Sequence, residues 1–282
     1  MELLEHIFFH TLEDSLRLLP FLFAAFLLLE ALEHYSGTWV RGTLVRLEKA
    51  GPVVGALFGC IPQCGFSVMA SNLYAGGVLS LGTLLSVFLA TSDEAVLILM
   101  GHPGRGKEIA ALLAVKILIA IIAGYLADLV FARFITTKKE IEDLCHHCGC
   151  HNHHGIIRPA FNHTVRLFAY IFVCTFILTL IIEGAGLESL SGFLLQGSIL
   201  QPFLAALLGF IPNCAASVLL TELYLGNALS FASVVAGLCT NAGIGLIVLF
   251  KVNPDKKECF KFTLLLYACA VTGGILLHLA GM

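Results

Sequence analysis

Charge is what this sequence has least of. Lys and Arg number 16 and Asp and Glu 19, together 12% of 282 residues, about half the share of a soluble domain. With 58% hydrophobic residues and a mean hydropathy of +0.93, the chain has more apolar surface than a water-soluble fold can hide. The few basic residues are scattered between apolar runs, so no stripe exists to neutralise a phosphate backbone, which argues against a nucleic-acid partner. Walker, dinucleotide-loop, nucleophile-elbow and His-Glu-x-x-His motifs are also missing, so the sequence supports neither ATP-driven pumping nor hydrolysis, and the expectation is a protein that is not an enzyme. Glu2, Glu5, Glu13 and Asp14 stand where a signal peptide has its positive charge, and the first apolar segment is expected to be retained. Cysteine is present, ten in all, but most lie inside apolar runs rather than in the framework of a disulfide-stapled domain.

What is there is a series of membrane-length apolar runs. A spanning helix takes about 20 apolar residues, and such runs lie near 15–33, 78–100, 108–131, 164–182, 227–250 and 258–280. Two further apolar stretches, about 50–75 and 200–225, are broken in the middle at Ile61-Pro62-Gln63-Cys64-Gly65 and Ile211-Pro212-Asn213-Cys214-Ala215. Proline removes a backbone donor and clashes with the preceding turn. Irregular backbone at membrane depth survives only where it is buried in protein or lines a cavity. Each break therefore marks interior rather than lipid, and the bilayer is the expected surrounding.

The two breaks belong to a repeat. A shift of 150 residues lays Gly59 to Ser67 on Gly209 to Ser217 with the pattern G-x-I-P-x-C-x-x-S, and the same ungapped register matches Pro52 with Pro202, Leu73-Tyr74 with Leu223-Tyr224, Leu79-Ser80 with Leu229-Ser230 and Lys107-Glu108 with Lys257-Glu258. The organisation read from this is a first membrane repeat at 1–131, a polar linker at 132–163 and a second repeat at 164–282. If each break is a hairpin, Arg41, Arg46, Lys49, Arg133, Lys138, Lys139, Arg158, Lys251, Lys256 and Lys257 gather on one side, against mainly Arg17, Arg105 and Lys107 on the other. A single crossing at each break would split the basic residues almost evenly, which the positive-inside rule disfavours. The expected fold is thus all-α and polytopic, two inverted repeats of about five transmembrane or re-entrant helices each. The linker is cytoplasmic and both termini are outside, as in a multi-pass protein of a prokaryotic inner membrane.

Inverted repeats with discontinuous helices place a substrate site where the breaks approach the bilayer midplane. The candidates at the breaks are Gln63 and Cys64 in one half and Asn213 and Cys214 in the other, with Pro62 and Pro212 as the helix breakers. A lone Pro-Cys is more simply a packing kink with a small buried thiol; its repetition at the same place favours function. Thr91-Ser92-Asp93-Glu94 lies deep in an apolar run, and an intramembrane carboxylate is costly enough to mark a functional site by default. Its repeat counterpart, Asn241-Ala242-Gly243-Ile244 behind Thr240, has no acid, so Asp93, Glu94 and Thr91 would act from one half and Asn241 and Thr240 from the other. Lys116, inside the next helix, could neutralise one acid or act as a coupling charge; Glu222, opposite neutral Asn72 in the repeat, is a weaker pathway candidate.

The linker holds Cys145, His146, His147, Cys148, Cys150, His151, His153 and His154. Cys145 and Cys148 have the C-x-x-C spacing of a zinc half-site, and thiolate with imidazole suits Zn, Cu and related ions. A flexible His-rich tract that binds metal incidentally explains the same residues. No tightly bound cofactor is expected beyond a transition metal at this linker and the transported ion itself.

The paired I-P-x-C breaks at Pro62-Gln63-Cys64-Gly65 and Pro212-Asn213-Cys214-Ala215, the ten-element length and the His-rich central linker resemble the ten-transmembrane heavy-metal exporter family, whose members are also described as arsenic efflux or manganese transport proteins. The resemblance implies export of a metal or metalloid ion. Arsenite, copper and zinc would use the soft thiolates of Cys64 and Cys214, whereas manganese would prefer oxygens from Asp93, Glu94, Asn213, Asn241 and Gln63. The resulting expectation is proton-coupled alternating access, with a homodimer left open. The competing class is an intramembrane thiol oxidoreductase passing electrons through Cys64 and Cys214, which leaves the burial of Asp93 and Glu94 without a reason.

Overall fold

The computed structural model describes residues 50–61, 65–102, 104–131, 200–211 and 214–281, with position 198 and scattered positions between 8 and 27 and between 157 and 177; at 93, 94, 97, 131, 214 and 215 it describes the backbone alone. The regular structure among them is helical. The first half holds α1 (Gly51–Gly59), α2 (Gly65–Ala75), α3 (Leu81–Ala90), α4 (Asp93–Met100) and α5 (Gly106–Phe131). The second holds α6 (Gln201–Gly209), α7 (Cys214–Leu225), α8 (Phe231–Thr240), α9 (Ile244–Val252) and α10 (Lys256–Leu279). Each boundary in the second half departs from an offset of 150 residues by no more than two.

Local chemistry explains the matched boundaries. Ser80 and Ser230 stand at equivalent N-caps, where the hydroxyls accept from Thr83 N at 3.1 Å and Ser233 N at 3.2 Å. The preceding helices close on equivalent left-handed residues, Gly77 at φ 72° and Asn227 at φ 58°. There Val78 N donates to Leu73 O and Ala228 N to Leu223 O, using carbonyls a helix end would otherwise leave orphaned. Pro52 and Pro202 sit in the first turns of α1 and α6, where a missing N–H does no harm.

Within each half the third helix is the hub: α3 packs between α1 and α5, and α8 between α6 and α10. Every residue of α3 is buried, which a helix apolar on all sides requires. Across the halves α2 packs on α9, α7 on α4, α3 on α8 and α5 on α10. Phe88 of α3 meets Phe262 of α10 edge to face at 5.3 Å between centroids. The outward faces of α5 and α10 present Leu118, Ile122, Leu126, Leu129, Leu264 and Leu276. Those faces suit hydrocarbon, not water. Three segments among the described residues, Gly106–Val130, Phe231–Val252 and Lys256–Leu279, are long and apolar enough to cross a membrane. The protein is an all-helical polytopic membrane protein.

Backbone approach between α3 and α5 is set by glycine. A methyl group on Gly82 would overlap the Gly124 carbonyl oxygen and press on the Asp128 carboxylate, which accepts from Gly82 N at 2.7 Å and from Ser80 Oγ at 2.9 Å. Overpacking of this kind costs about 1–3 kcal/mol or more. Gly82→Val is therefore expected to lower the detergent-solubilised Tm by several degrees, whereas a Tm equal to wild type would show that the helices are free to part.

The runs 78–100 and 227–250, continuous by hydropathy, are each interrupted in the structure. Residues 91–92 separate α3 from α4, and 241–243 separate α8 from α9. The first interruption is made by side chains that compete for the backbone: Thr91 Oγ1 donates to Val87 O at 2.7 Å and Ser92 Oγ to Ala90 O at 3.1 Å. The second turns on Gly243, at φ 53° and ψ −138°, a conformation a side chain would strain.

Candidate functional site

The two interruptions are the centre of the candidate site. Thr91 and Ser92 are 1% exposed and Asn241 and Ala242 2% exposed, so unwound backbone lies fully inside protein. That is the only setting at membrane depth in which it is tolerated. A helix end frees carbonyl oxygens, and two of those freed here are taken by one cation. Lys116, 0% exposed in the middle of α5, donates from Nζ to Thr91 O at the end of α3 and to Leu238 O near the end of α8, the latter at 2.8 Å. A buried ammonium is stable only when its protons are matched by acceptors, and these two acceptors come from opposite halves of the chain. The repeat counterpart of Lys116 is apolar Leu266, so the equivalent position of the second half has no ammonium.

The polar side chains around it are engaged. Thr91 and Thr240 commit their protons to backbone carbonyls, Thr240 Oγ1 to Ala206 O at 2.7 Å and to Gly237 O at 2.9 Å. Their oxygens keep lone pairs with which a cation could be held. Asn241 Oδ1 accepts from Gly243 N at 3.3 Å, bracing the second interruption. Asp93 is the first residue of α4, one step past the buried Ser92. The structure therefore brings Thr91, Lys116 and the segment Leu238 to Asn241 together.

The second arm of each proline break adjoins the interruption of the other half. Ser71 Oγ of α2 donates to Gly245 O of α9 at 2.8 Å, and a methyl on Gly245 would touch Ser67. The start of α2, directly after Cys64, thus lies against the start of α9, directly after Asn241-Ala242-Gly243. α7, which begins at Cys214, packs on α4, which begins at Asp93.

Other expected site residues fall elsewhere. Pro62, Gln63, Cys64, Pro212 and Asn213, and the linker from Cys145 to His154, lie outside the described residues, as do the side chains of Asp93, Glu94 and Cys214. Glu222 is exposed, whereas its counterpart Asn72 is 3% exposed and donates to Val68 O at 2.9 Å. Among the described residues no group of three or more His, Cys, Asp or Glu is assembled to hold a metal, and Cys60, Cys239, Cys259 and Cys269 are free thiols.

Sequence reasoning missed one class of polar residue. Tyr74 Oη donates to Glu258 Oε1 at 2.5 Å and Tyr224 Oη to Glu108 Oε2 at 2.9 Å. All four residues had stood out only as repeat matches.

Residues 4–186 match the family model described as "Putative, 10TM heavy-metal exporter". No curated protein and no solved structure gave a match. The matched span holds the first proline break, Thr91 to Glu94, Lys116 and the Cys/His linker. With well over half its length inside the match, the chain belongs to this family of ten-transmembrane heavy-metal exporters.

Proposed function

We propose that the protein exports a transition-metal or metalloid ion by proton-coupled alternating access between two inverted repeats. The observation that carries this reading is the pair of interrupted helices, buried at the centre, whose freed carbonyls at Thr91 and Leu238 converge on Lys116. Carriers built from inverted repeats hold their ions with unwound backbone and helix ends of this kind.

Contacts at the helix ends support the inverted arrangement. α5 ends where Asp128 holds Ser80 and Gly82 at the start of α3. Tyr74, at the same end of α3, reaches Glu258 in the first turn of α10, so α10 starts where α5 finishes. Glu108, in the first turn of α5, bonds Tyr224 just before α8. In this reading Arg105 and Lys107 lie on one face and Lys251, Lys256 and Lys257 on the other, the latter cytoplasmic by the positive-inside rule.

In this reading Asp93, Glu94 and Thr91 ligate the ion from one half and Asn241 and Thr240 from the other. Gln63, Cys64, Asn213 and Cys214 contribute from the proline breaks. Lys116 holds the two interruptions together and balances the carboxylates. A carboxylate of Asp93 or Glu94 trades the ion for protons, and the Cys/His linker gathers metal on the cytoplasmic side.

The test is flux in proteoliposomes for manganese, zinc, cobalt, copper and arsenite. If the ion is soft, Cys64→Ser is expected to cut its flux at least tenfold; if it is manganese, Cys64→Ser leaves most of the flux, because oxygen ligands dominate. A Cys64→Ser protein that carries arsenite at the wild-type rate would remove the thiol from the site.

A further inference from the structure

Two contacts outside the ion site share one design. Tyr74, in the last turn of α2, donates to Glu258 in the first turn of α10, and Tyr224, in the last turn of α7, donates to Glu108 in the first turn of α5. Each bond crosses from one half to the other. Each carboxylate also has a second holder on the loop leading into its helix. Asn253 Nδ2 donates to Glu258 Oε2 at 3.0 Å, and Arg105 Nη1 donates to Glu108 Oε2 at 2.7 Å. One carboxylate therefore ties together the end of a hairpin arm, the loop before a long helix, and the long helix itself.

We propose that these two tyrosine–carboxylate bonds are the gates of the transport cycle, one at each membrane face, broken one at a time. The inference rests on the transport reading and adds the residues that open and close the site. The two bonds hold the outer ends of the α2–α9 and α7–α4 interfaces, whose inner ends adjoin the interrupted helices. A hydrogen bond to an ionised acceptor is strong enough to hold such an end and weak enough to break on a transport timescale.

A cleft points to the route behind one gate. Glu108, Tyr224, Leu112, Thr221, Val234 and Leu238 line one gap, too tight to admit water, which thus borders both the Tyr224–Glu108 bond and Leu238, whose carbonyl accepts from Lys116. Releasing Tyr224 from Glu108 connects that face with the interrupted helices. The gates differ in exposure: Tyr74 is buried whereas Tyr224 is half-buried, and both carboxylates are partly exposed. The Glu108 gate is the wetter of the two.

The experiment follows labelling of Val234→Cys in the full-length protein, reconstituted in liposomes, by a small methanethiosulfonate reagent, with the labelled position read by peptide mass spectrometry. Tyr224→Phe keeps the ring and loses the hydroxyl; it is expected to speed labelling about tenfold, the effect of losing one hydrogen bond to a charged group. Tyr74→Phe favours the state open on the opposite face and is expected to slow the same labelling severalfold, because populating one state depletes the other. If Val234→Cys does not fold, Leu112→Cys reports on the same cleft. Opposite signs support the gates. Equal acceleration by both variants, or no change from either, overturns them. Ion flux measured on the same vesicles separates the two ideas: flux without opposed labelling overturns the gates alone, and opposed labelling without flux of any tested ion keeps the gates while removing the metal substrate.

Discussion

Lys116→Met is expected to unfold more readily than wild type and to carry essentially no ion. Methionine keeps much of the length and all of the apolar stem of the lysine, so the change removes little except the ammonium. Two carbonyls, Thr91 O and Leu238 O, then lose their donor in a place where neither is reached by water. Each orphaned buried acceptor costs about 1–3 kcal/mol, giving about 2–6 kcal/mol for the pair. The unfolding midpoint in mild detergent should fall by many degrees, and flux by more than tenfold even at temperatures where the variant is folded. A variant with wild-type stability and flux would mean that the ammonium is incidental to both.

Asp93→Asn is expected to have the second large effect, and it falls chiefly on transport. Asp93 opens α4, and a negative side chain in a first turn interacts favourably with the helix dipole by about 0.3–1 kcal/mol, which the fold loses together with the charge that balances Lys116. A divalent ion loses a full charge from its ligand set. Removing one partner of a buried charge pair costs about 3–5 kcal/mol, and the lower figure already corresponds to roughly a hundredfold. Flux is expected to drop by about that factor at temperatures where the variant is folded. Flux that survived Asp93→Asn would move the ligand role to Glu94 or to the proline breaks.

Much of this architecture was legible before any coordinates. The helix boundaries of the two halves agree at the 150-residue offset visible in the sequence, because Ser80 and Ser230, Gly77 and Asn227, and Pro52 and Pro202 are local signals that act the same way wherever the chain goes. The interruptions at 91–92 and 241–243 were not foreseen. Neither contains proline, and hydropathy averaged over a window passes straight through Thr-Ser or Asn-Ala-Gly. The weaker signals were there in Ser92 and Asn241, residues that compete for backbone partners, and in Gly243.

The site was half legible for a different reason. Thr91 and Lys116 were singled out because polarity inside an apolar run is costly wherever it occurs. Which acceptors Lys116 would find depended on a partner 122 residues away at Leu238. The Tyr74–Glu258 and Tyr224–Glu108 bonds span separations of 184 and 116 residues. Their members were visible as conserved register between the halves of one chain, but a register says that two places are alike, not that a tyrosine of one half meets a carboxylate of the other.

The central claim is that an imposed gradient drives an ion through this protein. The most direct test reconstitutes wild-type protein in liposomes, loads manganese, zinc, cobalt, copper or arsenite at equal concentration on both sides, and imposes a proton gradient. The account predicts net movement of one of these ions against its own developing gradient, absent from protein-free vesicles and abolished when a protonophore collapses the proton gradient. Failure of every ion to move under either polarity of the gradient would contradict it and direct attention to electron transfer through Cys64 and Cys214.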